Sequence, residues 1–302
     1  LGPAQVRTGE RVVAARETAN GAVAEILHAD GTRSERACDI LVGADGIHSA
    51  LRQQFYPDEG APRWNGMMMW RGTTLARPFL DGRTMVQAGH RRAKFVVYPI
   101  EPVRPDGLQR INWICDRRLR EDGFGGGLTA PSREDWSKPG SLDDLLPTFG
   151  SWRFAWLDVP GLIRAAEQIL EWPMVDRDPL PRWRHGHTTL LGDAAHPMYP
   201  IGSNGATQAI LDAAALTDAL GGHASITAAL NAYEAARLPM TRDIVTMNRR
   251  EGLDAILDMV EEAAPEGFAR IEDVTDPTVL AEWVQAYKKA AGHQVARPQA
   301  AS

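Results

Sequence analysis

Two acids stand where a strand gives way to a turn, and they are the residues with the clearest chemical potential. In Thr188-Thr-Leu-Leu-Gly-Asp-Ala-Ala-His-Pro-Met-Tyr-Pro-Ile-Gly-Ser-Asn-Gly205 an apolar run stops at Gly192 and is followed by Asp193. Open α/β sheets bind ligands at the carboxyl ends of their strands. There a carboxylate can accept two hydroxyl hydrogen bonds, as a sugar or polyol chain would offer. Gly192 lets a ligand come close to the backbone. Pro200 stiffens the turn, while Gly202 and Gly205 allow tight bends. Ser203 or Asn204 can cap the helix that follows. The free N–H groups and positive dipole end of that helix suit an anionic or electron-rich occupant. The plain alternative is a capped βα turn with no ligand, a common outcome for short Gly-rich turns.

The second stretch is Asp39-Ile-Leu-Val-Gly-Ala-Asp-Gly-Ile-His-Ser-Ala-Leu-Arg52. Again an apolar strand delivers an acid, Asp45, between glycines. Ser49 and Arg52 are three apart and share a helix face. Arg52 could meet a phosphate, or pair on the surface with Asp58 or Glu59. Other groups carry less. His185 and His187 have no further ligands at metal-site spacing and read as loop residues, so no metal is expected. His196 reads as a structural hydrogen-bonding residue. Ser203 lacks the spacing of a nucleophile elbow, and no catalytic acid or base is assigned.

The elements that must hold these residues fall into three blocks. Arg11–Ala15 and Ala22–His28 flank a hairpin turn at Asn20-Gly21, and a second turn at Asp30-Gly31 leads into a continuous apolar strand over Cys38–Val42. A short helix carries Ser49 and Arg52. From about Pro62 the pattern becomes longer strands, at Met67–Leu75, Thr84–Ala88, Ala93–Ile100 and Arg110–Cys115, punctuated by Gly, Pro and Asp as in an antiparallel sheet. Irregular loops at Gly123–Gly127 and Pro131–Gly140 precede an amphipathic helix at Leu142–Phe149. Pro173–Pro181 is a return segment, Thr188–Leu191 a buried strand and Gly205–Leu220 a helix. Helices at Thr227–Arg237 and Thr241–Met259, separated by Pro239, and at Thr278–Ala291 complete the chain. The order of α/β pieces, β-rich insert and α/β pieces is that of a substrate domain inserted into a nucleotide-binding domain.

Bulk properties set bounds. With 302 residues the chain can bury a large core, and 44% hydrophobic with 24% charged residues is ordinary for a globular protein. The formal net charge of −6 argues against a nucleic-acid surface. Cys38 and Cys115 form neither a metal cluster nor a disulfide framework. No stretch approaches the roughly 20 apolar residues of a membrane span, and no secretory signal opens the chain, so a cytoplasmic protein is expected.

Taken together, the two acid-bearing motifs resemble those of the single-component FAD-dependent aromatic hydroxylases, the para-hydroxybenzoate hydroxylase-like family. Gly43-Ala-Asp-Gly46 with Ser49 and Arg52 is similar to the family's "DG" motif, and Gly192-Asp193 through Pro197 with the Pro200–Gly205 turn is similar to its "GD" motif. Within the family, Leu41–Ala50, Met69-Trp-Arg-Gly72, Phe79–Gly82 and Ile169–Trp183 resemble the phenazine-modifying hydroxylases. The resemblance implies an α/β fold, α+β overall, with an FAD-binding domain at 1–61, a β-rich substrate domain at 62–175, and an FAD-domain return segment with C-terminal helices at 176–302. It implies FAD as cofactor, held through Asp45, Gly192, Asp193, Pro200, Gly202, Ser203, Asn204 and Gly205, with NADH or NADPH and O2 as co-substrates. It implies hydroxylation of a phenazine- or salicylate-like aromatic compound touched by Trp70, Arg71 and Tyr98 from the insert and by Met198 and Tyr199 from the flavin side. The family's N-terminal strand–GxGxxG–helix, which grips the ADP part of FAD, is not in this sequence, so the domain is expected to be N-terminally truncated and to hold FAD weakly or not at all. The alternatives are another FAD-dependent oxidoreductase on the same scaffold (dehydrogenase, epoxidase or halogenase) or a flavin-free scaffold.

Overall fold

The first hairpin forms one residue out of the expected register. In the computed structural model, strand β1 (Glu10–Thr18) runs antiparallel to β2 (Gly21–His28) with Thr18 opposite Gly21, so Ala19-Asn20 makes the turn and Gly21 belongs to the strand. Gly21 is needed for close approach: a Cβ there would meet the Cys38 carbonyl oxygen at 2.2 Å. β3 (Arg33–Cys38) completes a three-stranded antiparallel sheet. The single strand expected over Cys38–Val42 is divided, because β3 pairs with β2 while β4 (Leu41–Gly43) starts a separate parallel pair. Beyond β4 the chain turns through Asp45 into helix α1 (Ala50–Phe55), where the Ser49 hydroxyl accepts the Arg52 N–H.

The structure describes residues 5–123, 128–131, 135–250 and 254–290. Parts of the loops expected at Gly123–Gly127 and Pro131–Gly140, and of the helices expected at Thr241–Met259 and Thr278–Ala291, lie outside these residues, as does the Ser203 side chain.

The β-rich block is a six-stranded sheet. Its long strands are β5 (Arg63–Ala76), β6 (Val86–His90), β7 (Ala93–Pro99) and β8 (Gln109–Arg118). Then come β9 (Leu128–Thr129), α2 (Leu142–Phe149), the small hairpin β10 (Arg153–Phe154) and β11 (Leu157–Asp158), α3 (Val159–Arg164) and β12 (Gln168–Asp176). The order is β12-β5-β8-β7-β6, with β9 added to β5. One face buries Phe95, Trp113 and Cys115 completely. Phe149 of α2 packs on Phe95, and the Thr74 hydroxyl donates to the Leu162 carbonyl of α3 at 2.7 Å. Pro173 lies inside β12, an edge strand, where a missing N–H can face away from the ladder.

The chain then returns to the first sheet region. β13 (Thr188–Leu190) pairs in parallel with β4, Thr188 opposite Leu41 and Leu190 opposite Gly43. Four helices follow: α4 (Gly205–Gly222), α5 (Ile226–Arg249), α6 (Asp254–Ala263) and α7 (Pro277–Ala290). Pro239 does not divide α5 as expected. An interior proline costs a helix about 3 kcal/mol. Leu230, Tyr233, Ile244 and Val245 on the same helix are each at most 1% exposed, and each such side chain contributes roughly 1.5–3 kcal/mol on burial. Packing therefore outweighs the local penalty.

Two compact units result. One holds residues 5–62, 176–248 and 288–290, and the other the described residues of 63–175 and 249–287. The first has a core of Leu51, Trp183, Leu190, Leu216, Leu230 and Tyr233. The second is built on the six-stranded sheet and includes α6. The α/β organisation, the inserted antiparallel sheet and the C-terminal helices are all present.

Candidate functional site

The parallel pair β4–β13 brings the two acids to one sheet edge. Leu191 N–H donates to the Gly43 carbonyl at 2.9 Å, extending the ladder to the point where both chains leave it. Asp45 follows β4 and Asp193 follows β13, so the two motifs meet as neighbouring corners.

The corner at Asp45 is self-contained. Its carboxylate accepts the Ala50 N–H at 2.8 Å and so caps α1. Arg52, expected on the surface or at a phosphate, is 1% exposed. It pairs with Glu59 as expected, but from the interior. It also donates to the carbonyls of Ala195 at 2.8 Å, Ala194 at 3.2 Å and Asp178 at 2.8 Å. Arg177 reaches the same Glu59 at 3.2 Å and donates to the Ile47 carbonyl at 2.9 Å. The guanidinium of Arg52 thus ties the first corner to the residues just after Asp193.

The corner at Asp193 is open. Gly192 has φ +60°, and a Cβ there would press on the Ala209 Cβ at 3.2 Å, so glycine is needed for conformation and for space. Asp193 is solvent-accessible. Even so, desolvation raises its carboxyl above the ordinary value, and His196 offsets this only in part. The 3-10 turn Ile201–Ser203, with Gly202 at φ +73°, then carries the chain to α4. Pro200 is exposed at its start. Asn204 is buried at the N-cap position, but its side chain makes no capping bond to the helix. The expected Asn204 cap is therefore absent, and α4 presents its first N–H groups without it. A Cβ built on Gly205 would lie 3.9 Å from Asp193 Oδ1 and 4.0 Å from Met198 Cγ. A side-chain-free helix start and an accessible acid therefore stand together.

Behind this corner lies a buried network that no motif announced. Asp212 on α4 is fully buried. It accepts the Gly192 N–H at 3.1 Å, lies 2.5 Å from His196 Nε2, and accepts Arg237 Nε at 2.7 Å. Arg237 also donates to Gln208 Oε1 at 2.6 Å. Burial alone would raise the Asp212 carboxyl. The hydrogen bond and charge of His196, with the hydrogen bonds of Arg237 and the Gly192 N–H, outweigh it and hold the group below its ordinary value. Gln208 and Asp212 are one turn apart on the buried stripe of an Ala/Leu-rich helix, and that misplaced polarity was the available sequence signal.

The candidate ring contacts divide. Trp70 is buried on the α2 side of the sheet, donates to Glu171 Oε2 at 3.0 Å and lies under the Arg117 guanidinium. Strand alternation puts Arg71 and Tyr98 on the other face, where Arg71 is exposed and Tyr98 half-buried. In the first unit, Met198 packs with Ile244 and Val245. Tyr199 is 1% exposed, and its carbonyl accepts Asn248 Nδ2 at 3.0 Å. His187 pairs with Glu17 and His185 stacks on Phe55; among the described residues no group of acids, histidines or cysteines could hold a metal.

The parallel strand pair with its two acid corners, and the antiparallel sheet between them in the chain, agree with the para-hydroxybenzoate hydroxylase-like flavoprotein fold that the motifs resemble. The FAD binding domain family matches residues 1–126 and 160–248. The chain belongs to that family. It is 45% identical over 256 residues to the phenazine 1,6-dicarboxylic acid hydroxylase PhzS of Lysobacter antibioticus, covering 82% of this chain and 61% of that protein. It is 36% identical to the 3-amino-4-hydroxybenzoate 2-monooxygenase PtnB3 of Streptomyces platensis, covering 83% of this chain and 59% of the relative. The chain thus spans less than two thirds of the length of these curated relatives. The fold is shared with Klebsiella pneumoniae HpxO complexed with FAD and uric acid, at TM-score 0.64, 23% identity, 96% of this chain and 64% of that one. A salicylate hydroxylase substrate complex matches at TM-score 0.63, 23% identity, 97% of this chain and 72% of that one. No helix among the described residues is long and apolar enough to cross a membrane.

Proposed function

We propose that this protein is an FAD-dependent monooxygenase that hydroxylates a phenazine- or salicylate-like aromatic acid with NADH or NADPH and O2. The observation that carries the reading is the open corner: the accessible Asp193 carboxylate beside the start of α4, where Gly205 brings no side chain. Those residues fit the ring end of FAD. A carboxylate offers acceptors to the ribityl hydroxyls, and the helix start offers N–H donors and positive potential to an electron-rich ring. The relatives named above support the substrate class, since their names specify a phenazine dicarboxylic acid and an aminohydroxybenzoate.

Bound FAD would supply electron transfer from the pyridine nucleotide and activation of O2. The chain's own contribution is to bind and to orient. Asp193 would hold the ribityl chain, and the Pro200–Gly205 turn would lie along the ring, with Gly192, Gly202 and Gly205 keeping side chains out of the way. Ser203 and Asn204 would offer backbone N–H groups in the same turn, and Asp45 would act from the neighbouring corner by fixing α1. Met198 and Tyr199 would shape the wall next to the turn. Arg71 and Tyr98, on the face of the insert sheet opposite Trp70, would be its contacts with substrate.

The test is oxygen uptake by the protein supplied with FAD, NAD(P)H and aromatic acids. Oxygen consumption matched by hydroxylated product is the expected result. Consumption that yields only hydrogen peroxide with every acid tried would overturn the reading.

A further inference from the structure

Three connections meet at one end of the inserted sheet, and each carries exposed apolar side chains. The pairings of Ala76 with Gln109, Pro99 with Ile111 and Val86 with Val97 put the 77–85 and 100–108 loops at that end. The β10–β11 hairpin joins them through Trp156, whose ring lies 6.2 Å from Phe79 and stacks on Phe154 at 5.2 Å. Leu80 is 55% exposed, and Met85, Ile100, Val103 and Phe154 are exposed with it. The loops beneath them are fastened. Gln109, which is buried, donates its amide to the carbonyls of Gly82 and Glu101, both at 2.9 Å, and so clamps the two loops together. Phe79 is buried next to Leu80. Leu80 has φ +48° and is the only described residue other than glycine with a positive φ. Glycine takes that conformation freely and leucine does not. The chain therefore holds an apolar side chain out in water at a position where both backbone and solvation favour glycine. Strain of this kind persists where it serves a function.

Arginines flank these tips. Arg77 and Arg83 stand three residues to either side of Leu80, both exposed and without an ion-pair partner among the described residues. Arg104 and Arg153 are the chain neighbours of Val103 and Phe154, and they meet Asp106 and Asp158 only at 4.0 Å and 3.7 Å. The aspartates of the same loops are turned to their own backbone. Asp81 accepts the N–H groups of Arg83 and Thr84 at 2.9 Å, Asp106 that of Leu108 at 3.0 Å, and Asp158 that of Gly161 at 3.2 Å. Glu101 faces Arg110 at 3.9 Å. Apolar tips inside a cationic collar suit the headgroup layer of an anionic bilayer, where the tips enter the acyl boundary and the guanidiniums stay at the phosphates. Lipid also accepts protruding side chains without the shape match that a protein partner requires. We propose that this end of the inserted sheet rests on an anionic lipid surface, with Leu80 and Val103 inserted and Arg77 and Arg83 at the lipid phosphates. The contact is peripheral, since no helix among the described residues could cross a membrane. It goes beyond the monooxygenase reading and does not depend on it.

Vesicle flotation tests the proposal on the chain as it stands, with no flavin needed. The probes are vesicles of phosphatidylcholine alone and of phosphatidylcholine mixed with phosphatidylglycerol, each at low and high salt. The protein should float with the mixed vesicles at low salt and be released as salt screens the arginines. Leu80→Gly removes the tip and relieves the backbone, so partitioning should fall roughly tenfold, as for a leucine side chain that no longer leaves water, while the melting temperature holds or rises. Val103→Asp, on the second loop, should lower partitioning as well. Arg77→Gln and Arg83→Gln should each cost about fivefold on mixed vesicles, the worth of one cation at an anionic surface, and nothing on phosphatidylcholine. No flotation with mixed vesicles at low salt, equal binding to both kinds of vesicle, or unchanged partitioning in Leu80→Gly would each overturn the proposal. A dimer in solution that Leu80→Gly dissociates would assign this face to a second copy of the chain and overturn it too.

Discussion

Asp45 and Asp193 follow adjacent strands of one parallel pair, yet their carboxylates do different things. Asp45 turns back on its own helix and accepts the Ala50 N–H. Asp193 is separated from its helix by the Pro200–Ser203 detour, and so reaches the neighbourhood of Gly205 in space without capping α4. A strand–acid–glycine pattern therefore does not by itself distinguish a cap from a ligand acceptor. The length of chain between the acid and the first helical turn does. In this chain the short connection turns the exposed acid back onto its own helix, and the long one leaves the other acid uncommitted to α4.

Substitutions can break or sharpen that contrast. The largest effect should come from Arg52→Met, which cuts the tie between the corners. Leaving Glu59 short of a partner and three carbonyls without their donor should cost about 4 kcal/mol, within the range for breaking a buried pair, seen as a lower urea midpoint. Asp212→Asn comes next: it strands the Arg237 charge and should cost about 3 kcal/mol, loosening only the Asp193 corner, so that amide exchange rises at Gly192 before Gly43. Asp193→Ala should hardly change stability but weaken FAD binding about tenfold, the loss of roughly one hydrogen bond to a charged group, read by flavin fluorescence titration. Asp45→Ala should do the reverse, costing about 1 kcal/mol of stability as a lost helix cap does with a smaller change in FAD affinity. Comparable losses of FAD from both alanine variants would erase the distinction.

The smallest effects are in pH. Asp193 has a raised value in the folded chain, so its favourable contribution is whole below the unfolded carboxylate range and is lost as pH rises through the folded value. Asp212 is depressed, so its contribution is present above the unfolded value of about 3.9 and is lost as pH falls through the folded one. Stability curves of Asp212→Asn should be flatter at the acid end, and those of Asp193→Asn flatter just above it.

Much of this could be read in the chain. Both acid corners, the β-rich insert between them and the helices after them follow from periodicity and turn chemistry, and the strands at β5 to β8 lie close to where alternation put them. What could not be read depended on distant partners. Arg52 looks like a surface residue because Glu59 is near in sequence, while the carbonyls that bury it lie 142 and 143 residues away. The break between β3 and β4 reflects which strands they pair with, not their own residues. Pro239 reads as a helix break until the packing of its flanking turns is known. Trp70 and Arg71 are adjacent in one strand and so serve opposite faces, but which of those faces α2 covers is set by distant packing.

The staple made by Arg52 also bears on the order of events in folding. Its two ends can meet only after a loop containing the whole inserted sheet has closed, and closing such a loop is an entropic cost that local contacts do not face. The hairpin β1–β2 and the β5–β8 sheet can form from near neighbours; the β4–β13 pair cannot. In pulse-labelled refolding, the amides of Leu41 and Leu191 should accordingly gain protection after those of β2 and β8. The corner proposed to receive a ligand is then among the last parts to assemble, and a ligand bound there would act as a late check on whether everything before it has folded.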